Sequence, residues 1–164
     1  MIVLKIIFHV IADVKKLFFK IIYGKSLSIG KKVSWRKSFS LMIENKATVT
    51  IGDNCFFNNY CSINAKNNIE IGNNTIFGEG VKVYDHNHRF NNKNDPIYKQ
   101  GFSEGSVIIG KNCWIGSNVV ILKNSKIGNN VVIGAGTIIS EDVPDNRIIT
   151  SDRNNIINKI IYKK

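Results

Sequence analysis

The sequence predicts an all-β chain wound as a parallel β-helix, a triangular prism of about five coils, with an amphipathic helix ahead of it and a short basic tail behind. Three observations carry this prediction. Apolar residues return every six positions through most of the chain. Isoleucine and asparagine are over-used, at 28 Ile and 22 Asn in 164 residues. The interruptions of the six-residue period fall at one place in its cycle.

Aligned on Ile51-Gly52, the apolar position runs Ile51, Phe57, Ile63, then Ile71, Phe77, Val83, then Ile109, Ile115, Ile121, Ile127, Ile133 and Ile139. Nine of these twelve residues are Ile, and seven are followed by Gly. The fifth position is small or β-branched: Cys55, Cys61, Thr75, Val81, Cys113, Val119, Ser125, Val131, Thr137 and Val143, with Asn67 the exception. A period of six is not helical. It describes a short strand and a turn, with Gly and Asn at the turns because both tolerate left-handed backbone angles. One such unit cannot bury its apolar face alone, so units stack into a continuous core. Ile43, Ile63 and Val83 lie 20 residues apart, and each precedes a longer gap. Three units therefore make one coil, extra residues enter at a single corner, and coils stack ~4.8 Å apart. The repeat region is assigned to residues 25–150, with an inserted loop at 85–106. All three cysteines hold fifth positions, which predicts packing, and their odd number argues against a disulfide framework and for a reducing, cytoplasmic compartment.

Residues 1–24 form the leading element, with a helix expected over 2–23. Lys5, His9, Asp13, Lys16 and Lys20 make one narrow polar stripe, and nearly everything else there is apolar. Such a helix needs a large apolar partner: its own domain, a second subunit, or a membrane surface contacted peripherally from the inner face. Lysines break the segment too often for a spanning helix. The formal charge of +11 calls for an anionic partner, but without a recognisable module it does not point to nucleic acid.

The loop at 85–106 opens Asp85-His86-Asn87-His88-Arg89-Phe90 and holds both histidines of the repeat region. A long polar loop on a rigid scaffold is where function concentrates. A neutral imidazole suits general-base work near pH 7. Metal binding is the competing use, but a catalytic zinc takes three protein ligands and His86 and His88 supply two. No metal is expected.

The Ile-Gly-x-x-small-x units, and the block from Ile109-Gly-Lys-Asn-Cys-Trp-Ile-Gly through Ile133-Gly-Ala-Gly-Thr, resemble the hexapeptide-repeat acyltransferases over roughly residues 43–150. Val83-Tyr-Asp-His-Asn-His looks most like the sugar O-acetyltransferases of capsule, colanic-acid and lipopolysaccharide clusters. The resemblance implies a left-handed β-helix, a homotrimer with sites between subunits, acetyl-CoA as donor, and a hydroxyl of a sugar or surface polysaccharide as acceptor. In the maltose and galactoside enzymes the catalytic histidine is eighteenth from the isoleucine that opens its coil, and counting from Ile71 reaches His88, with His86 second. A similar count from Ile51 assigns Asn58 to the acceptor, Asp85 is named beside it, and Trp114, Gly116, Ser117, Ala135 and Thr137 fall where the family lines the donor groove. Trp114 also suits a trimer interface. Two departures stand out. Arg89 follows the histidine where the family often has Pro, and Ser151-Asp152-Arg153-Asn154-Asn155 replaces a Gly-Asn-Pro-Ala-Lys ending. In the tail at 151–164, charge alone makes Arg153 and Lys159 candidates for the CoA phosphates. The competing readings are a γ-carbonic-anhydrase-like zinc enzyme and a non-catalytic β-helix that only binds.

Overall fold

The computed structural model describes residues 2–44 and 46–151, with side chains described from residue 10 onward. The tail beyond, with Arg153 and Lys159, lies outside the described residues, as do the side chains of Lys5 and His9.

The repeat folds as a three-sided parallel solenoid. The first side stacks Leu27–Ile29, Thr48–Ile51, Asn68–Ile71, Ser106–Ile109 and Ser125–Ile127. The second stacks Ser34–Trp35, Phe56–Phe57, Ile76–Phe77, Trp114–Ile115, Val132–Ile133 and Ile148–Ile149. The third stacks Ser40–Ile43, Ser62–Ala65, Lys82–Tyr84, Val120–Ile121 and Ile138–Ile139. Leu27 pairs with Val49, Val49 with Ile69 and Val107 with Ser125, so a coil consumes 22, 20 and then 18 residues. The last figure is three plain hexads. The longer coils take their extra residues between the third and first sides.

All twelve repeat positions point inward, none more than 3% exposed. Each buried Ile or Phe contributes about 1.5–3 kcal/mol of transfer free energy. The core is not uniform along its axis. Trp35 stacks on Phe39 at 4.9 Å, Phe39 lies 4.9 Å from Phe57, and Phe57 stacks on Phe77 at 4.4 Å. Beyond Phe77 the column continues in isoleucine.

The corners separate two roles that the sequence merges. Left-handed angles are taken mainly by asparagine: Asn54, Asn74, Asn112, Asn118, Asn124, Asn130 and Asn146 all have φ between 55° and 65°. They also bond along the stack, Asn54 Nδ2 to Asn74 Oδ1 at 2.9 Å and Asn112 Nδ2 to Asn130 Oδ1 at 2.9 Å. The glycine of the Ile-Gly pair serves close approach instead. A Cβ at Gly72 would sit 2.6 Å from the carbonyl carbon of Gly110, and Gly72 has no positive φ.

The fifth position is also more than small. Cys55 Sγ donates to Gly72 O at 3.2 Å, Cys61 Sγ to Gly78 O at 3.1 Å and Cys113 Sγ to Gly128 O at 3.2 Å. Thr75 Oγ1 makes the same bond to Gly110 O at 2.9 Å. The side chain thus reaches the glycine carbonyl of the next coil. Burial pushes all three thiols above their ordinary pKa.

The helix α1 (Ile2–Tyr23) lies against the first coil. Phe19 enters the aromatic column, 5.9 Å from Trp35 and 6.3 Å from Phe39, and Ala12 is buried beside the coil. Lys16 Nζ donates to Gly30 O at 2.9 Å, Tyr23 OH to Leu41 O at 3.0 Å, and Lys15 Nζ to Phe39 O. These are carbonyls of the first coil, which has no coil beyond it to supply N–H groups. The helix does pack on its own domain, but the face it turns inward includes the lysines. Val10, Ile11, Val14, Leu17, Phe18, Ile21 and Ile22 are left outward.

Two outcomes are expected. Gly72→Ala should lower stability by about 1–3 kcal/mol through forced backbone displacement, read by urea denaturation. An Ellman-type thiol reagent should find no fast-reacting cysteine in the folded protein and three after unfolding, since a buried thiol held protonated is inert.

Candidate active site

At the corner between the third and first sides, Asp85 ends the regular coil and turns its carboxylate inward, fully buried. Oδ1 accepts from Lys66 N at 2.8 Å and Oδ2 from Asn67 N at 2.8 Å. Oδ1 also meets His86 Nδ1 at 2.9 Å. One carboxylate thereby holds two backbone N–H groups of the preceding coil and the first histidine of the insertion. A buried carboxylate persists only when so satisfied. Asp85, expected at the acceptor, turns its oxygens inward within one chain.

The insertion is more ordered than its composition suggests. His86–His88 pairs antiparallel with Phe102–Glu104, His88 opposite Phe102 and His86 opposite Glu104. Gly105 N donates to Asp85 O at 2.7 Å, and Asn67 Nδ2 to Gly105 O at 2.8 Å, which close the base of this hairpin. The tip is braced by Gln100 Nε2, which donates to Asn92 O and Asp95 O, both at 2.8 Å.

Alternation along the strand puts His86 and His88 on one face of the hairpin, with Asn87 on the other. The Phe102 ring links them: its centroid is 4.5 Å from His88 and 5.3 Å from His86. Lys66 Nζ stands 3.7 Å from the same ring and pairs with Glu44. The two histidines differ in access. The His86 side chain is only 15% exposed and tied to Asp85, whereas His88 is exposed. Phe102, Lys66 and Glu44 were not singled out in the sequence; the signal was the alternation Phe102-Ser103-Glu104 after Gly101, which marks a returning strand.

The remaining expected residues lie elsewhere. Asn58, Ser117 and Ala135 lie at the corner between the second and third sides, Ser117 and Ala135 on successive coils and Asn58 two coils before Ser117. Asn58 Oδ1 accepts from Asn59 N at 2.9 Å. Gly116 is buried, its N–H donating to Ile133 O at 2.8 Å. Trp114 faces outward on the second side, 56% exposed, between Ile76 and Val132 of the neighbouring coils. Thr137 is buried and its hydroxyl donates to Gly134 O at 2.8 Å. Within one chain, then, the histidines and the Asn58–Trp114–Ser117–Ala135 group stand at different corners, separated by the third side. Among the described residues no three His, Cys, Asp or Glu side chains come together as a metal site.

A family model described as bacterial transferase hexapeptide (six repeats) matches residues 106–141. The chain is 28% identical over 141 residues to an Escherichia coli (strain K12) protein provisionally named as a lipopolysaccharide biosynthesis O-acetyl transferase, WbbJ, covering 82% of this chain and 72% of that one. The solved maltose O-acetyltransferase of Clostridium difficile 630 superposes with a TM-score of 0.67 at 28% identity, over 87% of this chain and 75% of that one. A hexapeptide-repeat acetyltransferase of Vibrio cholerae, solved with acetyl coenzyme A, superposes with a TM-score of 0.65 at 25% identity. That likeness covers 76% of this chain and 66% of the other, just under two thirds of its length. Repeat, prism and likenesses agree, and the chain is similar to the hexapeptide-repeat acyltransferases, whose β-helix is left-handed. Among these enzymes the likeness extends to lipopolysaccharide and sugar O-acetyltransferases.

Asp85→Ala should remove the hydrogen bonds that Lys66 N and Asn67 N donate to a charged acceptor, at about 1.5–3 kcal/mol each. The expected result is a clear fall in thermal stability, with faster amide exchange at residues 66 and 67 and along 86–88.

Proposed function

We propose that the chain moves an acetyl group from acetyl-CoA to a hydroxyl of a sugar or surface polysaccharide, with His88 as general base, at sites formed between copies in a homotrimer. The observation that carries this reading is the split of the expected site between two corners of one prism. A second copy that sets its Asn58 corner against the hairpin of the first would complete the site. The outward row Phe56, Ile76, Trp114, Val132 and Ile148 on the second side offers the apolar surface for such a contact.

The donor fits this arrangement chemically. Small residues at Gly116, Ser117 and Ala135 leave the corner low beside the exposed Trp114, a shape that admits a long thin thioester arm. His88 takes the proton from the acceptor hydroxyl as its oxygen attacks the thioester carbonyl carbon. The C–S bond then breaks, and the proton passes from His88 to the departing thiolate. Phe102 packs against the His88 ring and limits its rotation. The developing oxyanion requires a hydrogen-bond donor nearby. Contact with the inner face of the membrane, through α1, places the chain where lipid-linked glycans are built.

The Asp85–His86 contact favours a second assignment, since a carboxylate on Nδ1 is the usual support of a basic imidazole. One experiment separates the two. With acetyl-CoA and a panel of sugar acceptors, thiol release by His88→Ala should fall at least ~10²-fold, within the usual contribution of a general base, while oligomeric state is kept. Full activity in His88→Ala with loss in His86→Ala would reverse the assignment. Co-expression of His88→Ala with Asn58→Ala should restore part of the activity, because some interfaces then pair two intact halves. No recovery over either single variant would overturn the shared site.

A further inference from the structure

We propose that the outward face of α1, together with the basic first coil, is a docking surface for an anionic lipid bilayer, with the helix lying in the plane of the headgroups. The surface is apolar over three turns. Val10, Ile11, Val14, Leu17, Phe18, Ile21 and Ile22 are each between 54% and 73% exposed. Scattered exposed hydrophobes are ordinary, but a contiguous patch of this kind marks an interaction site.

The helix cannot hide this face by rolling. Phe19 is wedged in the aromatic column, and Lys15, Lys16 and Tyr23 are bonded to carbonyls of the first coil. Turning the apolar side inward would unpair those carbonyls and withdraw Phe19 from the core. The exposure is therefore fixed by the way the prism is capped.

Charge selects the occupant. Residues 1–46 hold ten Lys and Arg against Asp13 and Glu44, so +8 of the +11 total sits in the helix, the first coil and its last corner. Lys20, Lys25, Lys31, Lys32, Arg36, Lys37 and Lys46 are all exposed. A second copy of the same surface would bring like charge against like charge. A bilayer rich in anionic headgroups offers both an apolar phase for the helix and opposite charge for the lysines around it. Among the described residues no helix is long and apolar enough to cross a membrane, so the contact is with the surface.

This inference deepens the membrane contact proposed above, but its readout does not depend on acyl transfer. The full-length protein is mixed with vesicles of equimolar phosphatidylglycerol and phosphatidylcholine, or of phosphatidylcholine alone, and floated on a density gradient. Binding to the anionic vesicles should exceed binding to the neutral ones at least tenfold and weaken as salt is raised. Leu17→Asp and the double variant Phe18→Ser/Ile22→Ser should lose that binding at least tenfold, with thiol release and thermal stability unchanged. Failure of the unmodified protein to float with anionic vesicles would overturn the proposal. So would retention of binding by both variants, or dissociation of the assembly by Leu17→Asp, which would assign the face to a second copy. Loss of thiol release without loss of flotation would strike the catalytic reading and leave this one standing.

Discussion

The separation of successive coils governs this molecule. Parallel strands stacked at hydrogen-bonding distance bring the backbone of each coil into contact with the next, at the corners as well as along the sides. The same steric problem then arises three times per turn, once at each corner. Glycine removes the Cβ where carbonyl and amide of the next coil approach most closely. Asparagine bends the chain through a left-handed angle and spends its amide on the asparagine one coil away. The three cysteines and Thr75 at the fifth position reach the glycine carbonyl of the next coil. The unusual composition is the sum of these local answers, repeated.

The site depends on the same regularity by departing from it. Only one corner accepts extra residues, and there the chain leaves the stack as a hairpin. Leaving exposes N–H groups at residues 66 and 67 that would otherwise be satisfied by an adjoining coil. Asp85 meets that need and engages His86 as well. The residue that repairs the stack is thus the one that aims the insertion. Phe102 then couples the two histidines and Lys66 into one packed face, so a loop on a regular scaffold acquires the rigidity that catalysis requires.

The inward residues, the three-sided cycle and the location of the insertion could be read from periodicity, because burial in a solenoid is a strict function of position. Three features could not. The burial of Thr137 follows from its fifth position, but the bond of its hydroxyl to Gly134 O within its own coil does not. Asp85 looked like a loop carboxylate, since nothing in one dimension shows that two amides of an earlier coil point at it. On α1 the inward face is Ala12, Lys15, Lys16, Phe19 and Tyr23, which takes only Lys16 from the polar stripe, while Asp13 and Lys20 stay exposed. An amphipathic pattern tells which residues are alike, not which side faces water, and the open end of a β-helix demands hydrogen-bond donors more than it demands apolar area.

That last feature bears on the order in which the structure can form. The helix precedes the first coil in the chain, so on a ribosome the lid is made before the vessel. As each coil emerges it finds a template on one side, and the growing edge stays at the C-terminal end. The blocked edge, with Lys15, Lys16 and Tyr23 on its carbonyls, does not offer itself to a neighbouring nascent chain. Assembly acquires a direction, much as a polymer terminated at one end can extend only from the other.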